Sequence, residues 1–352
     1  KFMKHFGQSE TLTPFLDSLY TRSISFRNFY SAGIHTNHGL YATLYSFPAM
    51  MKRNLMKGSV IPRYSGLPTV LKENGYYNLF FMTHEGQYDN MNAFFRTNGY
   101  DEVFSQENYP ADKVVNSFGV QDDFLYDYAI PVLNQRAATG QPFFATLLSI
   151  SNHPPYVIPP FFHPKTSEPE TQIVEYADWA LRQFFEEARK QPWFDNTIFV
   201  LEGDHGKLVG DAECELPESY NHIPLMIYSS RIQPEEKTTF GGQVDIQPTI
   251  LGLLNIDYLQ NNFGVDLLKE ERPCMFYTAD NMVVGRNDTL LYLYNYETQQ
   301  ELTYDIGNGK LNAVPMDDSF LPLKEYSFSM LQSAEFLVKH GKTLNSIPFT
   351  QQ

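Results

Sequence analysis

The chain has 352 residues, with 26 Lys and Arg against 41 Asp and Glu, and a formal net charge of −15. That acid excess argues against a nucleic-acid partner, because binding a phosphate backbone depends on clustered Lys and Arg. With 28 Phe, 23 Tyr and only 19% charged residues it is too aromatic for a disordered chain, and long enough for one large domain or two modest ones.

The opening Lys1 to Phe6 lacks the apolar core of a signal peptide. The first predicted strand is Ser25 to Tyr30. A helix follows from about Thr36, with Leu40, Leu44 and Phe47 on one face and Pro48 closing it. Tyr77 to Met82, Phe143 to Ile150, Thr197 to Leu201 and Ile223 to Tyr228 are short apolar runs, expected as strands buried on both faces. The longest of them spans eight residues, against the roughly 20 a membrane span needs. Ile173 to Lys190 carries a helical apolar stripe and stops before Gln191-Pro192, since proline disfavours a helical residue ahead of it. A further helix is predicted from Asp245, as N-cap, through Leu254.

Beyond about residue 270 the pattern changes. Met275 to Thr278, Asn281 to Val284, Leu290 to Tyr296 and Glu301 to Tyr304 read as an antiparallel cluster, followed by an amphipathic helix from Leu323 to Lys339. The expected fold is therefore α/β: a doubly wound, mainly parallel sheet flanked by helices over 1–270, then a small antiparallel subdomain and terminal helix over 271–352. Two cysteines, Cys214 and Cys274, cannot build a disulfide framework or a cysteine-rich zinc site, and whether they pair stays open.

In an open parallel sheet, ligands bind beyond the carboxyl ends of the strands. Three polar clusters fall at such ends: Thr83-His84-Glu85-Gly86, Ser151-Asn152-His153-Pro154-Pro155 and Glu202-Gly203-Asp204-His205-Gly206. Adjacent Asp204 and His205, on a turn that Gly203 and Gly206 allow, can offer an oxygen and a nitrogen to one cation such as Mn, Zn or Mg; the competing reading is a polar turn with a capping Asp. Thr36 falls near a helix N-terminus, where N–H groups and the helix dipole favour an anion. A metal-bound hydroxyl there is a nucleophile for phosphorus, while the competing reading is an N-cap threonine. His84 and His153 are candidates for holding substrate oxygens or protonating a leaving group. His222 lies at the wrong end of its strand for that work, and His5 and His163 carry no signal.

In this order the motifs resemble the lipoteichoic acid synthase-like branch of the alkaline phosphatase/sulfatase superfamily. The resemblance runs through Thr11 to Leu19, Ser31 to Leu40, Asn98 to Asp101, Ser151 to Tyr156, Tyr176 to Asp178, Gly203 to Gly206 and Gln243 to Leu251. It implies that Thr36, Asp204 and His205 bind one divalent cation, manganese first and zinc or magnesium next. It implies that His84 and His153 contact the transferred phosphate, with Asp89 and Asn90 in the substrate loop. It also implies double displacement through a phospho-threonine.

Two departures from the family pattern stand out. The family's fourth metal ligand is a glutamate at the end of a first strand, and neither Glu10 nor any earlier residue stands in such a context. The expectation is a natural protein longer at its N-terminus, anchored by membrane helices on the extracytoplasmic face of a bacterial cell, with this part monomeric. In the substrate loop, Asp89 and Met91 stand where the family carries Trp and Arg, which weakens phosphatidylglycerol as the donor. Ser46-Phe47-Pro48-Ala49-Met50 imitates the formylglycine motif of sulfatases, but Met50 replaces its arginine. The expected activity is thus phosphoglycerol-type transfer on a phospholipid headgroup or glycan phosphate. The alternatives are a phosphodiesterase, phosphatase or sulfatase-family ester hydrolase, and a catalytically silent binding domain.

Overall fold

The structure is a computed structural model that describes residues 2–9, 11–307 and 309–345; Glu10 lies outside them. In chain order the elements are α1 (Pro14–Tyr20), β1 (Ile24–Tyr30), α2 (Thr36–Tyr45), α3 (Leu67–Glu73), β2 (Tyr77–Met82), α4 (Met91–Thr97), β3 (Glu102–Phe104), α5 (Asp122–Ala137), β4 (Phe143–Leu148), α6 (Pro169–Ala188), β5 (Phe199–Glu202), β6 (Leu225–Tyr228), β7 (Glu235–Gly242), α7 (Ile246–Leu253), β8 (Met275–Thr278), β9 (Met282–Arg286), β10 (Leu290–Asn295), β11 (Gln300–Gly307), β12 (Lys310–Ala313) and α8 (Leu321–Lys339). Three sheets result, with orders β5-β6-β1-β7, β3-β2-β4 and β12-β11-β10-β9-β8.

The chain divides into two compact units. The first comprises Lys1–Ser25, Leu71–Val200 and Met226–Glu236; the second comprises Phe26–Val70, Leu201–Leu225 and Lys237–Gln352. In the first unit β2 is central and parallel to both neighbours, with Leu79 opposite Glu102 and Met82 opposite Leu148. Its Leu79, Phe80, Phe81 and Met82 are all fully buried, each contributing about 1.5–3 kcal/mol. Short α1 begins with a proline, and Asp178 of α6 accepts the Phe15 and Leu16 N–H groups at 2.9 and 2.8 Å, serving two of its orphan donors. The stripe of α6 is buried as expected at Ile173, Val174, Ala180, Phe184 and Phe185.

In the second unit Tyr30 stacks on Tyr277 at 5.3 Å, in a core shared with Phe240, Val284 and Leu293. The C-terminal sheet is antiparallel throughout.

Two expectations need correction, and one question left open is answered. β4 and β5 are half-exposed rather than buried on both faces, because β4 is paired through β2 and β5 through β6, each at the end of its sheet. Asp245 does stand at the N-cap of α7, yet its side chain does not cap the helix. It accepts the Gly242 and Val265 N–H groups and a two-pronged contact from Arg272. Cys214 and Cys274 are both free thiols.

Candidate active site

In the second unit, β1 runs into the loop 31–35, and α2 starts at Thr36 with His35 as N-cap. Thr36 is thus the first helical residue rather than the cap, and its hydroxyl is directed elsewhere. Thr36 Oγ1 donates to Asp204 Oδ2 at 2.7 Å. Asp204 sits just past β5, where its Oδ1 accepts the N–H of His205 at 2.9 Å. The imidazole of His205 places Nδ1 2.8 Å from the Gly206 carbonyl. A carbonyl only accepts, so Nδ1 carries the proton and Nε2 presents a lone pair. That lone pair lies 3.5 Å from Asp204 Oδ2.

Two acceptors facing one another call for a proton or a cation between them. A hydroxyl, a carboxylate and an imidazole nitrogen are donors that suit a hard or borderline divalent ion, and the Nδ1 contact is the outer-shell bond that fixes a ligating histidine. Among the described residues no group of three or more His, Cys, Asp or Glu side chains forms such a site by itself. The hydroxyl of Thr36 is therefore needed to complete even three donors.

Around this trio, burial dominates the electrostatics. Burial pushes the His38 imidazole down to about 4, with the neighbouring His35 acting the same way. Burial also pushes the Glu202 carboxyl up to about 8, against a hydrogen bond from Thr43. Glu202 ends β5, and that upward shift favours its neutral form beside Asp204. His35 Nε2 meets Asp280 Oδ1 at 2.6 Å, which joins the residue before Thr36 to the turn between β8 and β9.

The other four candidates lie in the first unit. His84 and His153 follow β2 and β4, which run parallel and in register, so both emerge at the carboxyl end of one sheet. His84 is buried, with Nδ1 donating to the Glu85 carbonyl at 3.0 Å, and its Nε2 has no hydrogen-bond partner among the described residues. Burial lowers its pKa. The His153 ring lies 4.0 Å from Phe118, Phe118 lies 6.3 Å from Tyr88, and Tyr88 lies 4.7 Å from His84. An aromatic ladder thus connects the two histidines. The segment carrying Phe118 is held close: the Val120 N–H donates to the Thr83 carbonyl, and a Cβ on Gly119 (φ +89°) would stand 1.8 Å from that oxygen. Buried Asp122 secures the His153 turn by accepting the Ile150 and Ser151 N–H groups at 2.9 and 3.0 Å. Asp89 and Asn90 are consecutive left-handed residues, with φ 50° and 63°, a costly backbone for non-glycine residues.

The sulfatase-like Ser46 is fully buried in the second unit, donating to Gln247 Oε1 at 3.1 Å. Thr36, not Ser46, faces the carboxylate. Sequence reasoning missed three contributors. Gln243 and Asn221 hold the loop before Thr36, and Asp280 holds His35. Gln243 was visible only as the first residue of the family-like motif Gln243 to Leu251.

Residues 1–256 match the model of the sulfatase family. The chain belongs to that family. It is 26% identical over 270 residues to lipoteichoic acid synthase 1 of Bacillus subtilis, covering 70% of this chain and 40% of that protein. It is likewise 26% identical over 296 residues to phosphoglycerol transferase I of Xanthomonas campestris, covering 78% of this chain and 42% of that protein. The chain therefore spans less than half the length of these relatives. Among solved structures, an alkaline phosphatase superfamily protein from Vibrio parahaemolyticus superposes with a TM-score of 0.87 at 27% identity, covering 98% of this chain and 85% of that one. The α/β fold with its separate antiparallel sheet is thus the alkaline phosphatase superfamily fold.

Proposed function

We propose that this sulfatase-family chain is a phosphoryl-transfer enzyme. It moves a phosphoglycerol-type group from a lipid or glycan phosphodiester to an acceptor hydroxyl, with Thr36 as nucleophile. The observation that carries this reading is the Thr36–Asp204 hydrogen bond at 2.7 Å, formed at the N-terminus of α2 beside the lone pair of His205. The names of the curated relatives support the substrate class, and the buried, engaged Ser46 weighs against sulfate chemistry.

In this reading the hydroxyl proton of Thr36 leaves along the bond to Asp204 while Oγ1 bonds to phosphorus. The bond from phosphorus to the leaving oxygen breaks, and that oxygen takes a proton. An acceptor hydroxyl then attacks phosphorus and gives up its proton, the bond from phosphorus to Oγ1 breaks, and Thr36 Oγ1 regains a proton. The first turn of α2 directs N–H groups and the positive end of its dipole at the charge that develops on the phosphoryl oxygens. A divalent cation, manganese in this reading, would be held by Thr36, Asp204 and His205, and when bound would lower the hydroxyl pKa and neutralise phosphoryl charge.

For the first unit the proposal is confined to chemistry: His84 and His153 are suited to hold a phosphate oxygen or to protonate a leaving group, and Asp89 and Asn90 to contact a polar headgroup. No described helix is long and apolar enough to cross a membrane. We nonetheless propose that the enzyme acts at the extracytoplasmic face of a bacterial membrane, the place that the resemblance of its motifs implies.

The test compares bis-p-nitrophenyl phosphate with p-nitrophenyl sulfate, with Mn2+ and with EDTA, for the wild type and Thr36→Ala. The expected result is metal-dependent phosphodiester cleavage that Thr36→Ala abolishes. Cleavage that survives Thr36→Ala, or sulfate turnover that exceeds phosphate turnover, contradicts the proposal.

A further inference from the structure

Gln243 is fully buried, and among the described residues the three hydrogen bonds of its side-chain amide go to the backbone of the site. Its Oε1 accepts from the Ala32 N–H at 2.8 Å, and its Nε2 donates to the Gly203 and Asp204 carbonyls at 3.1 and 2.8 Å. One amide therefore joins the loop that leads into Thr36 to the turn that carries Asp204. Only an amide can do this: a carboxylate lacks the donors, and an aliphatic chain lacks both functions.

A second connection runs between the same two segments. The Asn221 carbonyl accepts the Ser31 N–H at 2.8 Å, and the Tyr220 carbonyl accepts the Gly206 N–H at 2.7 Å. The Asn221 side-chain amide adds contacts of 3.2 Å to Ser31 Oγ and 3.4 Å to the Gly33 carbonyl. The two segments are thus tied on both sides, and the Thr36–Asp204 hydrogen bond spans the space between the ties. Gln243 is itself seated by Asp245, which accepts the Gly242 N–H at 2.9 Å and is held by the Arg272 guanidinium.

We propose that Gln243 is a positioning residue that sets the separation of Thr36 and Asp204, and hence the geometry of the attacking hydroxyl. This inference rests on the assignment of Thr36 as nucleophile. Gln247 supplies the matched control. It is equally buried and one helical turn further along, but its amide oxygen accepts from Ser46 and Asn262, away from the site.

The experiment uses Gln243→Leu and Gln247→Leu in the complete chain, with bis-p-nitrophenyl phosphate and Mn2+, well below both melting temperatures. Amide hydrogen exchange is read by mass spectrometry in parallel. The expected result for Gln243→Leu is a kcat about 10- to 100-fold below that of Gln247→Leu, with KM within about twofold, since misplacement by about 1 Å can cost about a hundredfold. Exchange should quicken in peptides covering 31–36 and 203–206 for Gln243→Leu alone. Equal kcat and equal exchange in the two variants overturn the proposal.

If Gln243→Leu does not fold, Gln243→Met keeps the length of the side chain but loses both the donors and the acceptor; wild-type kcat in that variant also overturns it. If the wild type shows no Thr36-dependent turnover, the functional reading fails, and exchange alone decides the tether. Selective quickening at those two segments supports it, and a uniform pattern overturns it.

Discussion

Replacing Gly39 by alanine, one turn into α2, ought to stabilise a helix by about 1 kcal/mol if intrinsic propensity ruled. The structure predicts the opposite. A Cβ on Gly39 would stand 2.5 Å from the Asp204 carbonyl oxygen and 3.0 Å from Gln243 Nε2. Relief to ordinary van der Waals contact needs a shift of about 0.9 Å in the turn that carries Asp204. A shift of that size directed away from α2 would stretch the 2.7 Å Thr36–Asp204 contact beyond hydrogen-bond reach. Overpacking of this kind costs about 1–3 kcal/mol, and a displacement near 1 Å costs about a hundredfold in rate. Gly39→Ala should therefore lower the melting temperature and reduce phosphodiester turnover by about 10- to 100-fold. Thermal unfolding by circular dichroism and steady-state assays on one preparation measure both. A Gly39→Ala protein that melts higher than the wild type with turnover within twofold would refute the close approach and the role assigned to the Asp204 turn.

Burial pushes the Asp178 carboxyl from its ordinary 3.8 up to about 6, despite the N–H groups of Leu16 and Phe15 pulling it down. The native state therefore binds the extra proton between those values, and stability falls as pH rises through that window, by at most about 3 kcal/mol. Asp178→Asn does not titrate, so the stability difference between wild type and variant, measured by urea unfolding, should shrink from pH 4 to pH 7; a constant difference contradicts the shift. Arg272→Met leaves the fully buried Asp245 carboxylate without its cation and should cost about 3–5 kcal/mol in the same measurement. A loss below 1 kcal/mol would show that Asp245 is satisfied without it. Ser46→Ala removes one buried hydrogen bond, worth about 1 kcal/mol, and should leave ester turnover unchanged; loss of turnover would return Ser46 to the chemistry.

Much of this fold was legible because the chain writes its periods clearly. The apolar run of β2, the stripe of α6 and the Asn- and Asp-separated strands β8 to β11 all lie where the pattern places them. The half-exposure of β4 and β5 was not legible, because a run such as Phe143-Phe144-Ala145-Thr146-Leu147 reads the same at the centre of a sheet and at its edge. Of the candidate residues, Thr36, Asp204 and His205 come together in one unit, while the chain order gives no distance between positions so far apart. Asn221 escaped notice, and Gln243 stood in its motif without a role, because amides that serve backbone groups carry no charge to single them out. Their importance appears only once Ala32, Gly203 and Ser31 show where their hydrogen bonds go.

The central claim is that the Thr36 hydroxyl becomes covalently bonded to phosphorus. Rapid acid quenching during turnover of bis-p-nitrophenyl phosphate with Mn2+, followed by peptide mass spectrometry, tests it directly. The account predicts a phosphoryl adduct on the peptide that contains Thr36, absent from Thr36→Ala and lost when an acceptor alcohol is added. Steady turnover with no adduct on that peptide, or an adduct on Ser46 instead, would contradict it.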